Sequence, residues 1–589
     1  MAEGIDNYFQ DLSKIRYFSF RRGPGLSTNL PGADLGPASA GAEGRGTGCA
    51  ESKAEFTRSL LLHGPAFEKG ENESGPTNGE TVRGMRIDFV SYGRVTRFAG
   101  TLCCVMALFY SRISLAEIPL PSIRGPIPTS AASYPFGSAD HNRVPDDLAA
   151  IGYIEEEFLV SGTANVYDWP APGPAVVRTP NAPYTTRILV RRPIDRERFS
   201  GTVIFELLNP SNSFDLSIGW GIMQREIVRR GHAWVGITAK PVAMETLKAF
   251  DPDRYSDISF ANPLPLGDPR NCEGVARDST RDSENGLVWD AYRQTARWLR
   301  STDSNNPLRY GGSGGKPQYL IALGYSQTGG FLYTYINALH ALDVEALGKP
   351  LFDAYYVAVA SWPTGINQCA PRITADDPRY AIRDNVGVPI IHIMSQSDYL
   401  NSIPLPNSDT PPNLTRNYEV AGSGHATPDE LYYGPSSMDI KKGGRMVPAM
   451  ECDEGPRSRF PSSIAFNATL RNLIAWVRDG VPPPIAEPIQ VKNGQPVLDE
   501  FGNVRGGVRS PYVDVPTSTW YGNSTGASFC FIAGHEAPFT HEQLKSLYPD
   551  HAAYLSKVTE NVRRLVESRF ITPEDGEALI FEAAQLMIP

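Results

Sequence analysis

Short runs of consecutive apolar residues alternate with segments whose apolar positions recur at helical spacing. Phe158-Leu159-Val160, residues 186–190 and Thr202-Val203-Ile204-Phe205 are the first such runs. Ala233-Trp234-Val235-Gly236-Ile237, Tyr319-Leu320-Ile321-Ala322-Leu323, residues 354–360 and residues 388–393 continue the series. A run that is apolar throughout, without polar alternation, predicts a strand covered on both faces, as in a parallel sheet. Between these runs, Val288, Ala291, Tyr292, Thr295 and Leu299 form one stripe of a helix over residues 284–300. Phe466, Leu470, Leu473, Ile474 and Val477 form another, which Gly480 and Pro482-Pro483-Pro484 bring to an end. The alternation predicts an α/β architecture, a mostly parallel central sheet with helices on both faces, over residues 150–484.

Two stretches break the alternation. Residues 240–283 and 361–387 are long enough to predict lids or binding insertions at the carboxyl ends of strands. Beyond Pro484 the chain turns polar and Gly-rich. Leu544, Leu547, Tyr554, Leu555, Val558, Val562, Leu565 and Val566 then pattern a helical pair, and Thr572-Pro573-Glu574 opens one more helix. Residues 485–589 are therefore expected to be a C-terminal helical appendage packed on the core.

The opposite end has a different logic. Residues 1–84 show no sustained period and are rich in Gly, Pro and polar residues, so they are expected to be disordered or an over-extended N-terminus ahead of a start at Met85. Arg86, Arg94 and Arg97 precede an apolar run over residues 98–110, and Ser114-Leu115-Ala116 follows it. A basic flank, a short apolar stretch and a small-x-small site predict a secretory signal at residues 85–116. The expected product is secreted or periplasmic, cleaved near Ala116, with no stable membrane insertion afterwards; a buried helix or an uncleaved anchor is the alternative. Cleavage would leave Cys272, Cys369, Cys452 and Cys530 in an oxidising compartment, where three full pairings are open. No CxxC spacing exists among them, so no zinc site is expected.

Composition narrows the classes further. Lys and Arg total 55 against 65 Asp and Glu, a formal charge of -10. That balance lacks the basic footprint of nucleic-acid binders, and nucleic acid is set aside as a partner.

Candidate chemistry sits in Gly324-Tyr325-Ser326-Gln327-Thr328-Gly329, between a buried strand and the helical run that begins at Phe331. A sharp strand-to-helix turn lifts a serine hydroxyl to the top of a sheet, and the small residues let strand and helix approach closely. A serine hydroxyl needs a base, and the base needs an orienting carboxylate. Asp398 follows the strand through His392 and is the expected acid, with Asp384 and Asp429 as rivals. His425, in the Gly-rich stretch Gly422-Ser423-Gly424, is the expected base. His392 lies inside a strand, and the rival His535 falls beyond the last core helix. Gln327 is expected to donate its backbone N–H to an oxyanion, and Asn209, after the third core strand, to supply a second backbone donor.

The strand-turn-helix around Ser326 resembles the nucleophile elbow of the α/β-hydrolase superfamily, with Thr328 where the usual final glycine stands. Further pieces extend the resemblance over about residues 150–589. They include Glu206-Leu207-Leu208-Asn209, Arg230-Gly231-His232-Ala233-Trp234-Val235-Gly236, Gly365-Ile366-Asn367-Gln368-Cys369, Gly424-His425-Ala426 and Gly534-His535-Glu536-Ala537-Pro538-Phe539. Together they resemble the secreted bacterial group known as α/β-hydrolase domain proteins. The resemblance implies an α/β-hydrolase fold and a carboxylesterase-like serine hydrolase, acting without metal or cofactor on a small-molecule or polymeric ester. A serine peptidase, an acyltransferase and a non-catalytic binding protein are the alternatives. Tyr325 before the serine and Ala426 after the histidine depart from tannase-like esterases, in which cysteines flank the triad.

Overall fold

A computed structural model describes residues 117–272, 280–310, 316–371, 373–383, 385–401 and 406–588. The expectations for residues 1–84, for the signal at 85–116 and for Asp384 lie outside the described residues. Ten strands make the main sheet, in the order β1-β2-β3-β5-β4-β6-β7-β8-β10-β9. They are β1 Ser122–Arg124, β2 Tyr153–Asp168, β3 Val176–Pro193, β4 Thr202–Leu207, β5 Ala233–Ile237, β6 Tyr319–Tyr325, β7 Ala354–Ala358, β8 Ile390–Ser395, β9 Ser408–Thr410 and β10 Asn413–Val420. Pairing is parallel from β5 through β4, β6, β7 and β8 to β10. The β1-β2-β3 edge and β9 run antiparallel to their neighbours.

The parallel strands β4 to β8 fall on the apolar runs because both their faces are covered, whereas β10 is mostly polar and half-buried over its first residues. Phe205 and Glu206 are consecutive in β4 and so point to opposite faces. Phe205 stacks on Tyr292 of helix α3 (Val288–Leu299), with ring centroids 4.4 Å apart. Glu206 instead accepts the backbone N–H of Gly219 at 2.7 Å and of Trp220 at 3.1 Å, at the start of helix α1 (Ile218–Arg229). It also accepts the indole N–H of Trp234 at 2.7 Å. Burial pushes the Glu206 carboxyl up to about 7, with those donors pulling it back. A buried acid thus anchors a helix N-terminus directly behind the loop that follows β4.

Three sequence expectations need correction. The sheet begins before residue 150, since β1 pairs with residues 159–161 of β2. Residues 240–283 are not wholly an insertion: Pro241–Phe250 is helix α2, with Ala243, Met244, Leu247 and Phe250 buried. Its Pro241 at the first helical position is a start signal that goes unused when the stretch is read as a lid. The early strands are also much longer than their apolar centres, because β2 and β3 pair almost end to end as one hairpin.

Helix α4 (Gln327–Thr334) follows β6, and α5 (Ser463–Asp479) packs against α1, β7 and β8. Near the end of the chain, α6 (His551–Glu567) and α7 (Pro573–Gln585) enclose a second apolar cluster of Tyr554, Val558, Val562, Leu565 and Leu579, which includes Ile464 of α5. Asp575 ties this layer down, bonded to Arg229 at 2.8 Å and to Asn467 at 2.9 Å. The C-terminal region is thus docked on the core through apolar area, an ion pair and a buried hydrogen bond alike.

Candidate active site

β6 is buried from Leu320 to Tyr325 and turns into α4 at Ser326, whose backbone takes φ +56° and ψ -119°. A positive φ at a residue other than glycine is strained by about 1–3 kcal/mol and persists only where surroundings impose it. Here the Ser326 N–H donates to Ala358 O at 2.8 Å, and its own carbonyl accepts Gly330 N–H at 3.1 Å. A Cβ on Gly324 would lie 2.2 Å from Thr328 O, and one on Gly329 would lie 2.6 Å from Ala360 Cβ. The need for a missing side chain therefore falls on Gly329 rather than on position 328. Thr328 is free to be a threonine, and its hydroxyl accepts Tyr325 N–H and donates to Tyr325 O, both at 3.1 Å. Gly324→Ala is expected to destabilise the fold by about 1–3 kcal/mol, the usual range for overpacking; a lowered urea midpoint at unchanged slope would report it.

Asp398 lies in the turn Gln396–Asn401 that leaves β8, where Ser395 Oγ donates to its Oδ2 at 2.6 Å. His425 follows β10 through Gly422, at φ +86°, where a Cβ would lie 2.5 Å from the Phe460 ring. The three side chains meet. His425 Nδ1 is 3.0 Å from both carboxylate oxygens of Asp398, and His425 Nε2 is 2.8 Å from Ser326 Oγ. A carboxylate only accepts, so the proton sits on Nδ1 and Nε2 is left as acceptor for the serine O–H. Burial lowers the affinity of His425 for a proton, but the charge and hydrogen bond of Asp398, with the charge of Glu430, outweigh it and the imidazole titrates above its ordinary value.

Other candidates lie elsewhere. His392 is a core residue, its ring nitrogens bonded to Asn417 Oδ1 at 2.6 Å and Ala360 O at 3.0 Å. His535 stacks on Tyr521 and bonds Asn523 O. Asp429 is half-buried at the start of a short helix, and desolvation raises its carboxyl.

The oxyanion expectation is half corrected. Gln327 is the first residue of α4, so its N–H has no carbonyl one turn back within the helix. The Asn209 N–H, by contrast, donates to Leu216 O at 2.9 Å and is not a free donor. A bridge between Asn209 and Leu216 closes the loop after β4 and consumes that group. Asn209 works through its side chain, which donates to Tyr325 O at 2.8 Å and accepts Ser211 N–H at 2.8 Å, joining that loop to the elbow. Arg187 steadies the same loop through Asp215 at 2.9 Å.

Sequence reasoning missed several supporting residues. Tyr325 O–H donates to His425 O at 2.7 Å, and the signal was present in the large residue just before the serine. Glu430, buried near His425 and bonded to Arg457 at 3.2 Å, is pushed up to about 7 by burial, with Arg457 and His425 pulling it back. Nothing local distinguishes it from a surface glutamate.

The cysteines pair as Cys272–Cys369 and Cys452–Cys530. The first joins the two long segments that flank the sheet's carboxyl edge, and the second joins the chain after His425 to the C-terminal region. Among the described residues, no group of three or more His, Cys, Asp or Glu side chains could hold a metal ion.

No curated protein matches the chain. Among solved structures it is similar to a carboxylesterase from Lactobacillus plantarum WCFS1, at 10% identity and TM-score 0.21, covering 40% of this chain and 71% of that one. It is also similar to a hyperthermophilic esterase from the archaeon Pyrobaculum calidifontis, at 10% identity and TM-score 0.22, covering 42% and 68%. A glucuronoyl esterase from Solibacter usitatus is similar at 9% identity and TM-score 0.22, covering 42% and 64%. The family model described as "Alpha/beta hydrolase domain" matches residues 123–581, which takes in every strand from β2 to β10 together with Ser326, Asp398 and His425, and the chain belongs to that family.

Proposed function

We propose that the chain is a serine hydrolase that cleaves carboxylic esters through an acyl-enzyme on Ser326. One observation carries this reading: a single imidazole is bonded on one side to a carboxylate and on the other, at 2.8 Å, to a serine hydroxyl held at the strained turn. His425 Nε2 takes the Ser326 proton as Oγ attacks the ester carbonyl carbon. The carbonyl oxygen becomes an oxyanion facing the Gln327 N–H, while Asp398 stabilises the imidazolium without taking its proton. The imidazolium returns the proton to the leaving alkoxide, whose C–O bond breaks. Water then repeats the sequence, freeing the acid and restoring Ser326. The segments joined by Cys272–Cys369 are the elements that would choose the acyl and alcohol groups.

Incubation with a fluorophosphonate probe tests the reading, followed by mass analysis of the peptide that carries Ser326. Phosphonylation of Ser326, with hydrolysis of p-nitrophenyl acetate exceeding that of peptide amides, is the expected result. A folded protein that is not labelled would leave a binding role, and faster cleavage of amides than of esters would make the chain a peptidase. Export is part of the proposal, and two disulfides support an oxidising compartment. The native protein isolated from its source is expected to begin near Glu117; peptides from residues 1–84 would overturn that.

A further inference from the structure

The base of the site does not stand on its own loop. His425 N–H and Ala426 N–H both donate to Ile532 O, at 2.8 and 3.0 Å, more than a hundred residues further along the chain. A Cβ on Gly424 would lie 2.3 Å from Ala533 O, so the loop carrying the base presses directly on the C-terminal turn Cys530–Ile532. Ser397, beside the acid, touches both partners. Its Oγ accepts His425 N–H at 3.1 Å, and it is bonded to Gly522 O and, at 3.2 Å, to Ile532 O. Acid loop and base loop therefore share one support, the stretch between Gly522 and Gly534.

That stretch has little regular structure of its own. Residues 522–529 form neither helix nor strand. It is held from residues 450–458 instead: Asp453 N–H donates to Thr525 O at 2.9 Å, Thr525 N–H donates to Glu454 at 2.8 Å, and Ser458 N–H donates to Gly534 O at 3.1 Å. The covalent part of this attachment is Cys452–Cys530, which fixes the first residue of the turn.

We propose that the Cys530–Ile532 turn, pinned by Cys452–Cys530 and coupled to the acid loop through Ser397, is a positioning element of the Ser326 site, so that the C-terminal region is part of the catalytic apparatus. Ser397 is a positioning residue, since it acts on the reacting groups through His425 and Asp398. The inference rests on the reading of Ser326 as a nucleophile and goes beyond it. Losing the support lets the imidazole drift, and a misplacement of about 1 Å costs about 10²-fold in rate. The substrate-binding segments are untouched, so the loss belongs in kcat.

Two full-length variants test it, Cys452→Ser/Cys530→Ser and Ser397→Ala, each checked for a cooperative thermal transition. Both are measured for fluorophosphonate labelling and for kcat, KM and the pH profile on p-nitrophenyl acetate. The expected result is a kcat lowered about 10²-fold in the double variant and less in Ser397→Ala, with KM within threefold of wild type. The acid limb of kcat/KM is expected to move to lower pH, as His425 is held less firmly against Asp398; a merely structural role would leave that limb in place. Folded variants with kcat and acid limb unchanged overturn the inference while leaving Ser326 as nucleophile. A wild-type protein that is never labelled at Ser326 overturns both. If the double variant does not fold, Ser397→Ala decides alone.

Discussion

Ser326→Ala is expected to lower kcat for ester hydrolysis by about 10⁶-fold and to abolish fluorophosphonate labelling, with the fold retained. The magnitude follows from the way a nucleophile and its base act as a unit: removing either typically costs about as much as removing the whole set, and what remains comes from the oxyanion donor and substrate binding. Two features of this protein sharpen the expectation. The Ser326 Oγ is hydrogen-bonded to His425 Nε2, so its removal leaves that imidazole nitrogen as an acceptor without its donor and strands no buried donor. The backbone strain at φ +56° is imposed by the Ala358 and Gly330 hydrogen bonds and not by the hydroxyl, so alanine inherits the same turn. KM is expected to change little. Steady-state kinetics with a melting curve checks both halves, and a variant retaining more than a hundredth of wild-type kcat would exclude Ser326 as nucleophile.

The contrast between what the chain announces and what it conceals has a physical basis. Residues 233–237 form a strand over just the bounds the apolar run predicts, because a strand buried on both faces has no other way to look. The hairpin of β2 and β3 is legible only at its centre, around Phe158 and residues 186–190. Its outer parts are partly exposed and held by backbone pairing, which any sequence can make. The elbow is legible because strand, turn and helix are all local to it. Asn209 is the instructive failure. It lies in the loop after β4, but which group its N–H meets depends on Leu216 closing the same loop, a register no motif encodes. The disulfide pairing and the support of His425 by Ile532 are harder still, since they join segments about 80 to 110 residues apart, and Cys452–Cys530 and the Ile532 support exist only once the C-terminal region has docked.

Asp398→Asn is expected to cost about 10⁴-fold in kcat, and the pH profile tells why. In the wild type, the neutral imidazole is the active base, so activity falls as pH drops through the His425 value. Burial alone would lower that value; the Asp398 charge and hydrogen bond reverse the sign, so the acid limb of kcat/KM is expected to lie above the ordinary histidine value. Asparagine removes the larger of the two raising charges and leaves Glu430 as the smaller one, so burial regains the upper hand and the limb moves to lower pH. More base is then unprotonated at every acidic pH, yet the rate falls, because the lost step is orientation rather than ionisation. An Asn amide turned toward Nδ1 donates to it, forces the proton onto Nε2, and leaves the Ser326 hydroxyl facing a donor instead of an acceptor. A lower plateau together with a limb displaced to lower pH is the joint signature. A lower plateau with an unmoved limb would mean that some other charge, Glu430 being the nearest candidate, sets the ionisation of His425, and the role given to Asp398 would have to pass to it.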